Sequence, residues 1–318
     1  MNVLITGANG FVGRTLCARL VDKGWSIKGV IRSGKHVARL PAGIDIVQIE
    51  SIGPDTDWSQ ALENIETVVH LAARVHVSEE TAADPLSEFR YVNTAGTEHL
   101  ARASSEAGVR RFLYVSTIKV NGECTIDVPF TERDEPAPQD PYAISKWEAE
   151  QSLQRISSET GLEIVVVRPP LVYGPGVKGN FLRLLKLVDR GIPLPFNMAS
   201  NRRSLIALDN LVDLLVLCIQ SPQAVSQTFL AADGEDLSTP ELIRSIAKAL
   251  GRRARLFPFP PVLLCLGAKL LGVEEITSRL FGSLAIDSTK VKKLLNWDPP
   301  VSVRDGLQQT ARWYLSNQ

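Results

Sequence analysis

The feature that most constrains the fold is an alternation of short apolar runs with helix-period segments through the first half of the chain. The runs NVLIT, SIKGVI, TVVHLA, RFLYVS and EIVVVR are separated by polar or helix-forming sequence. Their hydrophobicity is nearly continuous rather than alternating, which is typical of strands buried on both faces. The pattern predicts an α/β fold, a doubly wound parallel sheet with helices on both sides.

Three glycines follow the first strand directly, in the segment TGANGFVG. Gly7 permits a tight turn, Gly10 lets the backbone approach a pyrophosphate, and Gly13 lets helix and strand pack closely. The helix that begins here offers its positively polarised N-terminus to an anion. At the first strand-to-helix turn of a βαβ unit, this spacing predicts a dinucleotide-binding Rossmann fold.

The rest of the chain has a different pattern, in which helix-period segments outnumber short strands. The change follows RPPLVYGPG, whose Pro and Gly residues indicate a boundary. We expect a dinucleotide-binding domain over residues 1–172, to which residues 208–232 return, and a smaller helix-rich substrate-binding lobe over residues 173–318. Ligands of open α/β sheets bind outside the carboxyl ends of the strands, so we expect the site between the two lobes.

Composition narrows the class of partner. The 318 residues include 35 basic and 35 acidic side chains, which leaves no net charge, and they contain no basic run. This argues against nucleic acid or a membrane surface as the partner and favours a small molecule. The apolar stretch at residues 260–273 is shorter than the roughly 20 residues of a membrane span, so no span is expected.

Cysteine usage and the first residues predict a cytoplasmic protein. The four cysteines lie far apart without paired spacing, as reduced thiols do. The sequence MNVLITG leads into a strand without a secretory apolar segment. None of the four histidines has a partner at metal-ligand spacing, so we expect no metal site.

The segment GVIRSGK, at the end of the second strand, carries no acidic residue. A carboxylate is expected there, about 20 residues after the glycines, to bind the adenosine ribose of NAD. Arg32 and Lys35 instead offer positive charge where the 2′-phosphate of NADP would lie. We therefore favour NADP(H) as the cofactor, with NAD(H) as the alternative; a solvated surface loop is the other interpretation of these two residues.

Tyr142 and Lys146 lie four residues apart at the start of a predicted helix, in DPYAISK. This spacing places both on one helix face, with an ammonium beneath a phenol. The ammonium is expected to lower the pKa of the phenol and to let it exchange a proton near neutral pH. Such pairs are common on helices, so the weight of this one depends on the motifs around it.

Those motifs are VVHLAA, YVNTAGT, VSTIKVNGE, PFTERDEPAPQDPYAISK, RPPLVYGPG and NRRSLIALDNLVD. In their order and spacing the chain resembles, over essentially its whole length, the extended short-chain dehydrogenase/reductase family, in its branch of NAD-dependent epimerases and dehydratases of nucleotide sugars. The resemblance implies Tyr142 as proton donor or acceptor at the sugar oxygen, with Lys146 holding the nicotinamide ribose. It places Thr117 at the catalytic Ser/Thr position. It also implies a homodimer through the helices near residues 85–108 and 141–160.

The resemblance implies further contacts with cofactor and substrate. Asn93 matches an asparagine buried behind the site. The implied UDP-sugar contacts are Ser116, Thr117, Asn180, Arg203 and Arg279. The implied cofactor contacts are Gly7, Asn9, Gly10, Phe11, Val12, Gly13, Arg32, Lys35, Ile52, Leu71, Ala72, Ala73, Tyr142, Lys146 and Pro169.

Two departures from the family pattern bear on the reaction. Sugar dehydratases of the family carry TDE at the catalytic threonine, whereas this chain has TIK, with Ile118 and Lys119. The carboxylates that eliminate water are therefore missing. Leu171 stands where epimerases often carry asparagine, so one substrate contact differs.

The overall resemblance is greatest to enzymes that reduce a UDP-4-keto-6-deoxy-N-acetylhexosamine at C4, giving UDP-N-acetylquinovosamine for bacterial surface polysaccharides such as lipopolysaccharide. We expect this NAD(P)H-dependent ketoreduction, in which Tyr142 protonates the emerging alkoxide. The alternative is a UDP-sugar 4-epimerase acting on UDP-glucose or UDP-N-acetylglucosamine, an enzyme that keeps NAD bound. A non-catalytic, cofactor-sensing protein is a third hypothesis, and the intact Thr117, Tyr142 and Lys146 set argues against it.

Overall fold

The computed structural model of the protein describes residues 1–32, 40–75, 84–270 and 280–318. The strands are β1 (Asn2–Thr6), β2 (Ser26–Arg32), β3 (Asp45–Ile49), β4 (Thr67–His70), β5 (Arg111–Val115), β6 (Glu163–Arg168), β7 (Leu171–Tyr173), β8 (Leu205–Ala207) and β9 (Gln227–Leu230). The α-helices are α1 (Phe11–Asp22), α2 (Ser59–Leu62), α3 (Pro85–Phe89), α4 (Gly96–Glu106), α5 (Pro141–Thr160), α6 (Gly179–Asp189), α7 (Leu208–Gln220), α8 (Thr239–Ala249), α9 (Pro261–Leu270), α10 (Thr289–Leu295) and α11 (Val303–Ser316).

Seven strands form one parallel sheet in the order β3-β2-β1-β4-β5-β6-β9. The order reverses between β1 and β4, where Thr6 pairs with His70 at the carboxyl ends. Such a switch point leaves a crevice in which open α/β sheets bind ligands. The predicted doubly wound parallel sheet is confirmed.

Both faces of this sheet are buried, as its continuous apolar strands require. In β1, Val3 and Ile5 pack into the core formed with α1 and α7, whereas Leu4 packs into the opposite core with α4 and α5. Successive side chains of a strand point to opposite faces, so each face must find its own helices. The helices cover the sheet and leave its carboxyl edge for the site.

The chain leaves the main sheet after β6 and returns to it at β9. β7 and β8 form a separate two-stranded sheet, in which Leu171 pairs with Leu205. A third core cluster, which includes Tyr173 and Phe181, lies around this small sheet and α6, α8 and α11. β9 then pairs with β6, and α7 lies against α1. The domain boundaries given above stay a prediction.

One predicted helix has an internal irregularity. The sequence predicts a single helix near residues 85–108, and the structure has α3, a π-helical segment at Arg90–Ala95, and α4 in succession. A π-helical turn of this kind often occurs at a functional site, because it shifts the side chains that follow it. No helix within the described ranges is long and apolar enough to cross a membrane.

Candidate active site

The glycine turn between β1 and α1 forms a cradle of bare backbone. Gly7 has φ +68°, a left-handed conformation, and a Cβ there would lie 3.0 Å from Ala72 N. A Cβ on Gly10 would lie 2.9 Å from the Gly7 carbonyl oxygen, and one on Gly13 only 2.2 Å from it. No side chain among the described residues caps the α1 N-terminus with a hydrogen bond. The cradle therefore fits the pyrophosphate of a dinucleotide.

The loop after β4, which holds the predicted contacts Leu71, Ala72 and Ala73, is fixed to this turn by a buried polar network. Ala72 N–H donates to Thr6 Oγ1 at 3.2 Å, and Thr6 Oγ1 lies 2.6 Å from His70 Nδ1. The other ring nitrogen of His70 lies 2.9 Å from Thr97 Oγ1. Burial and the charge of Lys146 lower the pKa of His70 to about 3, so the ring is neutral. The sequence predicts His70 as a strand-core residue but gives no sign of this network.

Helix α5 begins at a well-defined cap that positions Tyr142. Asp140 is the N-cap residue and accepts a hydrogen bond from Ala143 N–H at 2.6 Å, with Pro141 at the first helical position. Tyr142 therefore lies in the first turn, where its ring meets that of Phe89 edge-on at 6.2 Å. The hydrogen bond from Lys119 to Asp140 brings the start of this helix beside the turn that follows β5.

Lys146 lies one helical turn further on and is almost completely buried, at 2% exposure. Its Nζ donates to Val115 O at 2.8 Å and lies 3.9 Å from the centre of the Tyr114 ring. Burial lowers the pKa of Lys146 to about 7, although the charge of Glu150 acts in the opposite direction. The contact with Val115 fixes the ammonium beneath the carboxyl end of β5.

The pKa of Tyr142 departs from the sequence-based expectation. We expected the ammonium of Lys146 to lower it, but in this structure burial raises it and the negative charge of Asp140 raises it further. Desolvation disfavours a phenolate, and Lys146 donates to Val115 O. The phenol of the protein alone is therefore protonated at neutral pH.

The turn after β5 supplies two hydroxyl groups. Ser116 is buried, and its Oγ has no hydrogen-bond partner among the described residues. Thr117 caps the short 3₁₀ helix Ile118–Val120, where its Oγ1 accepts a hydrogen bond from Lys119 N–H at 3.3 Å. A buried hydroxyl without a partner is costly, so Ser116 fits a role toward a ligand.

Asn93, in the π-helical segment, connects the loop after β4 with helix α5. Its Nδ2 donates to Ser145 Oγ at 3.0 Å, and its Oδ1 accepts from Arg74 N–H at 2.8 Å. Ser145 Oγ in turn donates to Tyr142 O at 2.8 Å. These contacts bury Asn93 against the helix that carries Tyr142, and its implied place behind the site stays a prediction.

A buried ion pair supports the far side of α5. Arg168, at the end of β6, donates through Nε and Nη2 to Glu150 at 3.0 and 2.5 Å, and through Nη1 to Asn121 Oδ1 at 2.8 Å. Both charged side chains are only 5% exposed. Glu150 lies one helical turn after Lys146 on α5. The contacts of Arg168 with Glu150 and Asn121 therefore fix this part of α5 against β6 and the turn after β5.

The remaining predicted site residues lie farther along the chain or at the sheet edge. Arg32 is exposed at the end of β2, and Ile52 is buried against Gly96. Asn180 is exposed in the first turn of α6, while Arg203 donates through Nη1 to Gly282 O at 3.2 Å. The carbonyl of Pro169 accepts from Ile118 N–H, and Phe11 and Val12 pack against the core beside Asn9 in the glycine turn.

Two predicted contacts, Lys35 and Arg279, lie outside the described residues. The binding roles of the other predicted residues stay predictions. Sequence reasoning missed Asp140 and Glu123, which both contact Lys119, and the pair Arg168–Glu150. A signal exists only for Asp140, because Asp before Pro is typical of a helix start. In the described part of the chain, no group of three or more His, Cys, Asp or Glu side chains is arranged to hold a metal ion.

The chain is similar to known proteins over nearly its whole length. The family described as "NAD dependent epimerase/dehydratase family" matches residues 3–232. A UDP-glucose 4-epimerase of Vibrio cholerae is 43% identical over 317 residues, which are 99% of this chain and 95% of that protein. A UDP-glucose 4-epimerase of Mycolicibacterium smegmatis is 30% identical over 332 residues, covering 99% of this chain and 98% of that protein. The solved structure of MoeE5 in complex with UDP-glucose and NAD has a TM-score of 0.80 at 25% identity, covering 100% of this chain and 99% of that one.

Proposed function

Because the chain belongs to the NAD-dependent epimerase/dehydratase family of UDP-sugar enzymes, we propose that it is a UDP-sugar 4-epimerase that keeps NAD bound. One observation carries the choice of reaction: the 43% identity with a UDP-glucose 4-epimerase over nearly the whole of both chains. This supports the alternative of the sequence analysis better than the ketoreduction that it favoured. UDP-glucose and UDP-N-acetylglucosamine are the substrates to test first.

The preference for NADP(H) finds no support. It rested on Arg32 and Lys35; Arg32 is exposed at the carboxyl end of β2, and Lys35 lies outside the described residues. The MoeE5 complex contains NAD. An exposed arginine is compatible with either dinucleotide, because its side chain can turn into solvent. We therefore propose NAD as the bound cofactor.

The residues of the site fit a reaction in which a proton leaves and returns to the same sugar oxygen. When bound, NAD supplies a reversible oxidation at C4, and the positive charge of its ring opposes the rise that burial causes in the pKa of Tyr142. In its ionised form, the phenol oxygen of Tyr142 takes the proton of the C4 hydroxyl and gives it back, so no proton is consumed overall. Thr117 holds the same sugar oxygen by a hydrogen bond, and Lys146, fixed by Val115 O, holds the nicotinamide ribose.

The turn after Thr117 does not supply the acid and base that dehydration needs. Ile118 is buried at 3% exposure, and Lys119 is paired with Asp140 and Glu123. Water elimination requires a group that can donate a proton to the leaving hydroxyl and another that removes one from carbon. An isoleucine and a paired ammonium do not provide them, which favours epimerisation over dehydration.

Other parts of the proposal concern the surroundings of the site. Asn180 and Arg203, with Arg279, would bind the diphosphate and uridine from the lobe at residues 173–318. The chain would form a homodimer through the α3–α4 region and α5, whose exposed faces carry paired charges such as Arg90 with Glu148. We also propose a cytoplasmic location, where UDP-sugars are made and used.

The experiment is to assay the purified protein without added cofactor. Cofactor released by denaturation is identified by mass spectrometry, and UDP-glucose and UDP-N-acetylglucosamine are followed by NMR. We expect bound NAD and formation of the C4 epimer of at least one sugar. Stoichiometric oxidation of added NADPH with a UDP-4-keto-6-deoxy-N-acetylhexosamine, with no epimer formed from either UDP-sugar, would instead establish the ketoreductase.

A further inference from the structure

The side chain of Lys119 joins two acidic residues beside the candidate active site. Its Nζ donates to Asp140 Oδ2 at 2.5 Å and to Glu123 Oε1 at 2.9 Å. The three side chains are mostly buried, with exposed fractions of 21% for Lys119, 18% for Asp140 and 26% for Glu123. Partial burial opposes the charge of the ammonium, but its hydrogen bonds to Asp140 and Glu123 outweigh burial and raise the pKa of Lys119. The lysine is therefore charged at neutral and moderately alkaline pH.

This contact connects the two elements that carry the candidate catalytic hydroxyls. On one side, Lys119 N–H donates to Thr117 Oγ1 at 3.3 Å, within the turn after β5. On the other side, Asp140 Oδ1 accepts from Ala143 N–H and caps the helix that carries Tyr142 in its first turn. The carboxylate of Asp140 thus caps the helix through Oδ1 and accepts from the Lys119 ammonium through Oδ2. The Lys119–Asp140 ion pair thus joins the turn that carries Thr117 to the start of the helix that carries Tyr142.

We infer that Lys119 is a positioning residue of the proposed epimerase. Its side chain holds the turn that carries Thr117 against the start of the helix that carries Tyr142, and its charge neutralises the carboxylate of Asp140 near the phenol. The inference rests on the proposed function for the roles of Thr117 and Tyr142. It assigns a task to a residue at which the chain departs from the dehydratase pattern. At position 119 the chain has lysine where the dehydratase pattern has an acidic residue, so positive charge is added next to the helix that carries Tyr142.

The ionisation of Tyr142 depends on the groups around it. Burial raises the pKa of Tyr142 first, and the charge of Asp140 is the next cause. Asp140 and Tyr114 interact electrostatically with Tyr142. The other charged groups on the elements packed around it are Lys146 on its own helix, Arg74 over the Phe89 ring with its partner Glu88, and Lys119 with Glu123 from the turn after β5. Without Lys119, the negative charge of Asp140 would act more strongly on the phenol. Ionisation of Tyr142 would become harder.

The test compares Lys119→Met with three variants that isolate its charge. Lys119→Arg keeps the positive charge, and Asp140→Asn keeps the helix cap, because asparagine caps as well as aspartate. The double variant Lys119→Met with Asp140→Asn removes both charges of the closest pair. Lys292→Met is the matched control, since Lys292 on α10 forms an exposed ion pair with Asp298 at 3.0 Å. Each protein is purified with its bound cofactor and checked by thermal unfolding.

The first readout is the pH dependence of kcat/KM for epimerisation. Lys119→Met should move the acidic limb to higher pH by about one unit, as expected when an opposite charge close to an ionising site is lost. At a pH below that limb, activity then falls about tenfold. Lys119→Arg and Lys292→Met should leave the limb unchanged, and the double variant should return it toward the wild-type position. A purely structural role of Lys119 would lower activity equally at all pH values and would not be reversed by Asp140→Asn.

The second readout needs no substrate. Tyrosinate absorbance is titrated in each variant with and without Tyr142→Phe, so that the difference reports Tyr142 alone. The Tyr142 signal should shift to higher pH in Lys119→Met and return in the double variant. An unchanged Tyr142 titration in a folded Lys119→Met protein overturns the inference. If the wild type epimerises no sugar, the proposed function fails, and this titration still decides the role of Lys119.

Discussion

The buried pair Arg168–Glu150 allows a sharp prediction about stability. Arg168→Leu removes the guanidinium that donates to Glu150 at 2.5 and 3.0 Å and to Asn121 at 2.8 Å. Glu150 is 5% exposed and would remain buried without a counter-charge. Breaking a buried pair by removing one partner costs about 3–5 kcal/mol of unfolding free energy. Since whole domains are stable by only about 5–15 kcal/mol, such a loss is large enough to measure with certainty.

The assay is equilibrium unfolding in urea, monitored by circular dichroism. Lys292→Met breaks an exposed pair and should cost about 0–1 kcal/mol, which sets the baseline. The double variant Arg168→Leu with Glu150→Leu should recover most of the loss, because well-packed apolar residues can replace a buried ion pair at little cost. A loss for Arg168→Leu no larger than that of Lys292→Met, or no recovery in the double variant, would refute the reasoning.

Three further predictions follow from the site. Tyr142→Phe should lower epimerase turnover by about 100-fold or more, while mass spectrometry should find the same amount of bound nicotinamide cofactor as in the wild type. Full activity of this variant would exclude Tyr142 from the reaction. Gly13→Ala should lose its bound cofactor, because its Cβ would meet the Gly7 carbonyl at 2.2 Å. Gly24→Ala, which is strained by a φ of +74° but has nothing within 4 Å and lies beyond the other end of α1, should retain it. Burial lowers the pKa of His70 from 6.5 to about 3 in the folded protein. Between these two pH values the unfolded chain binds one more proton than the folded chain, so wild-type stability should fall as pH drops from about 6.5 to about 3. Urea unfolding across this range should show a smaller loss for His70→Gln, and an equal loss would contradict the burial argument.

Features that are set by neighbouring residues could be predicted from the sequence. Continuous apolar strands require burial on both faces, and this alone gives the doubly wound sheet. The glycine turn could be identified because only glycine tolerates the backbone approaches seen at Gly7, Gly10 and Gly13. The position of Tyr142 four residues before Lys146, on a helix that begins after Asp140, is likewise a matter of local spacing.

Features that depend on contacts between distant segments could not be predicted. Lys119 meets Asp140 across 21 residues of sequence, and neither residue signals the other. The π-helical segment within the predicted helix at residues 85–108 has no periodicity of its own to identify it. The pKa of Tyr142 was expected to fall because the helix spacing was known, but the burial that raises it is a property of the packed structure. The direction of such a shift follows from tertiary surroundings rather than from spacing.

The return of the chain to the main sheet has a consequence for biosynthesis. β6 ends at Arg168, and the strand that covers its open side begins at Gln227. At a translation rate of about 5–20 residues per second, β6 remains an edge strand for roughly 3–12 s while the intervening segment is made. Unpaired edge strands recruit other chains. Newly made protein is thus most vulnerable to aggregation in that interval, and synonymous codons that slow the ribosome between these two strands should lower the soluble yield without changing a single amino acid.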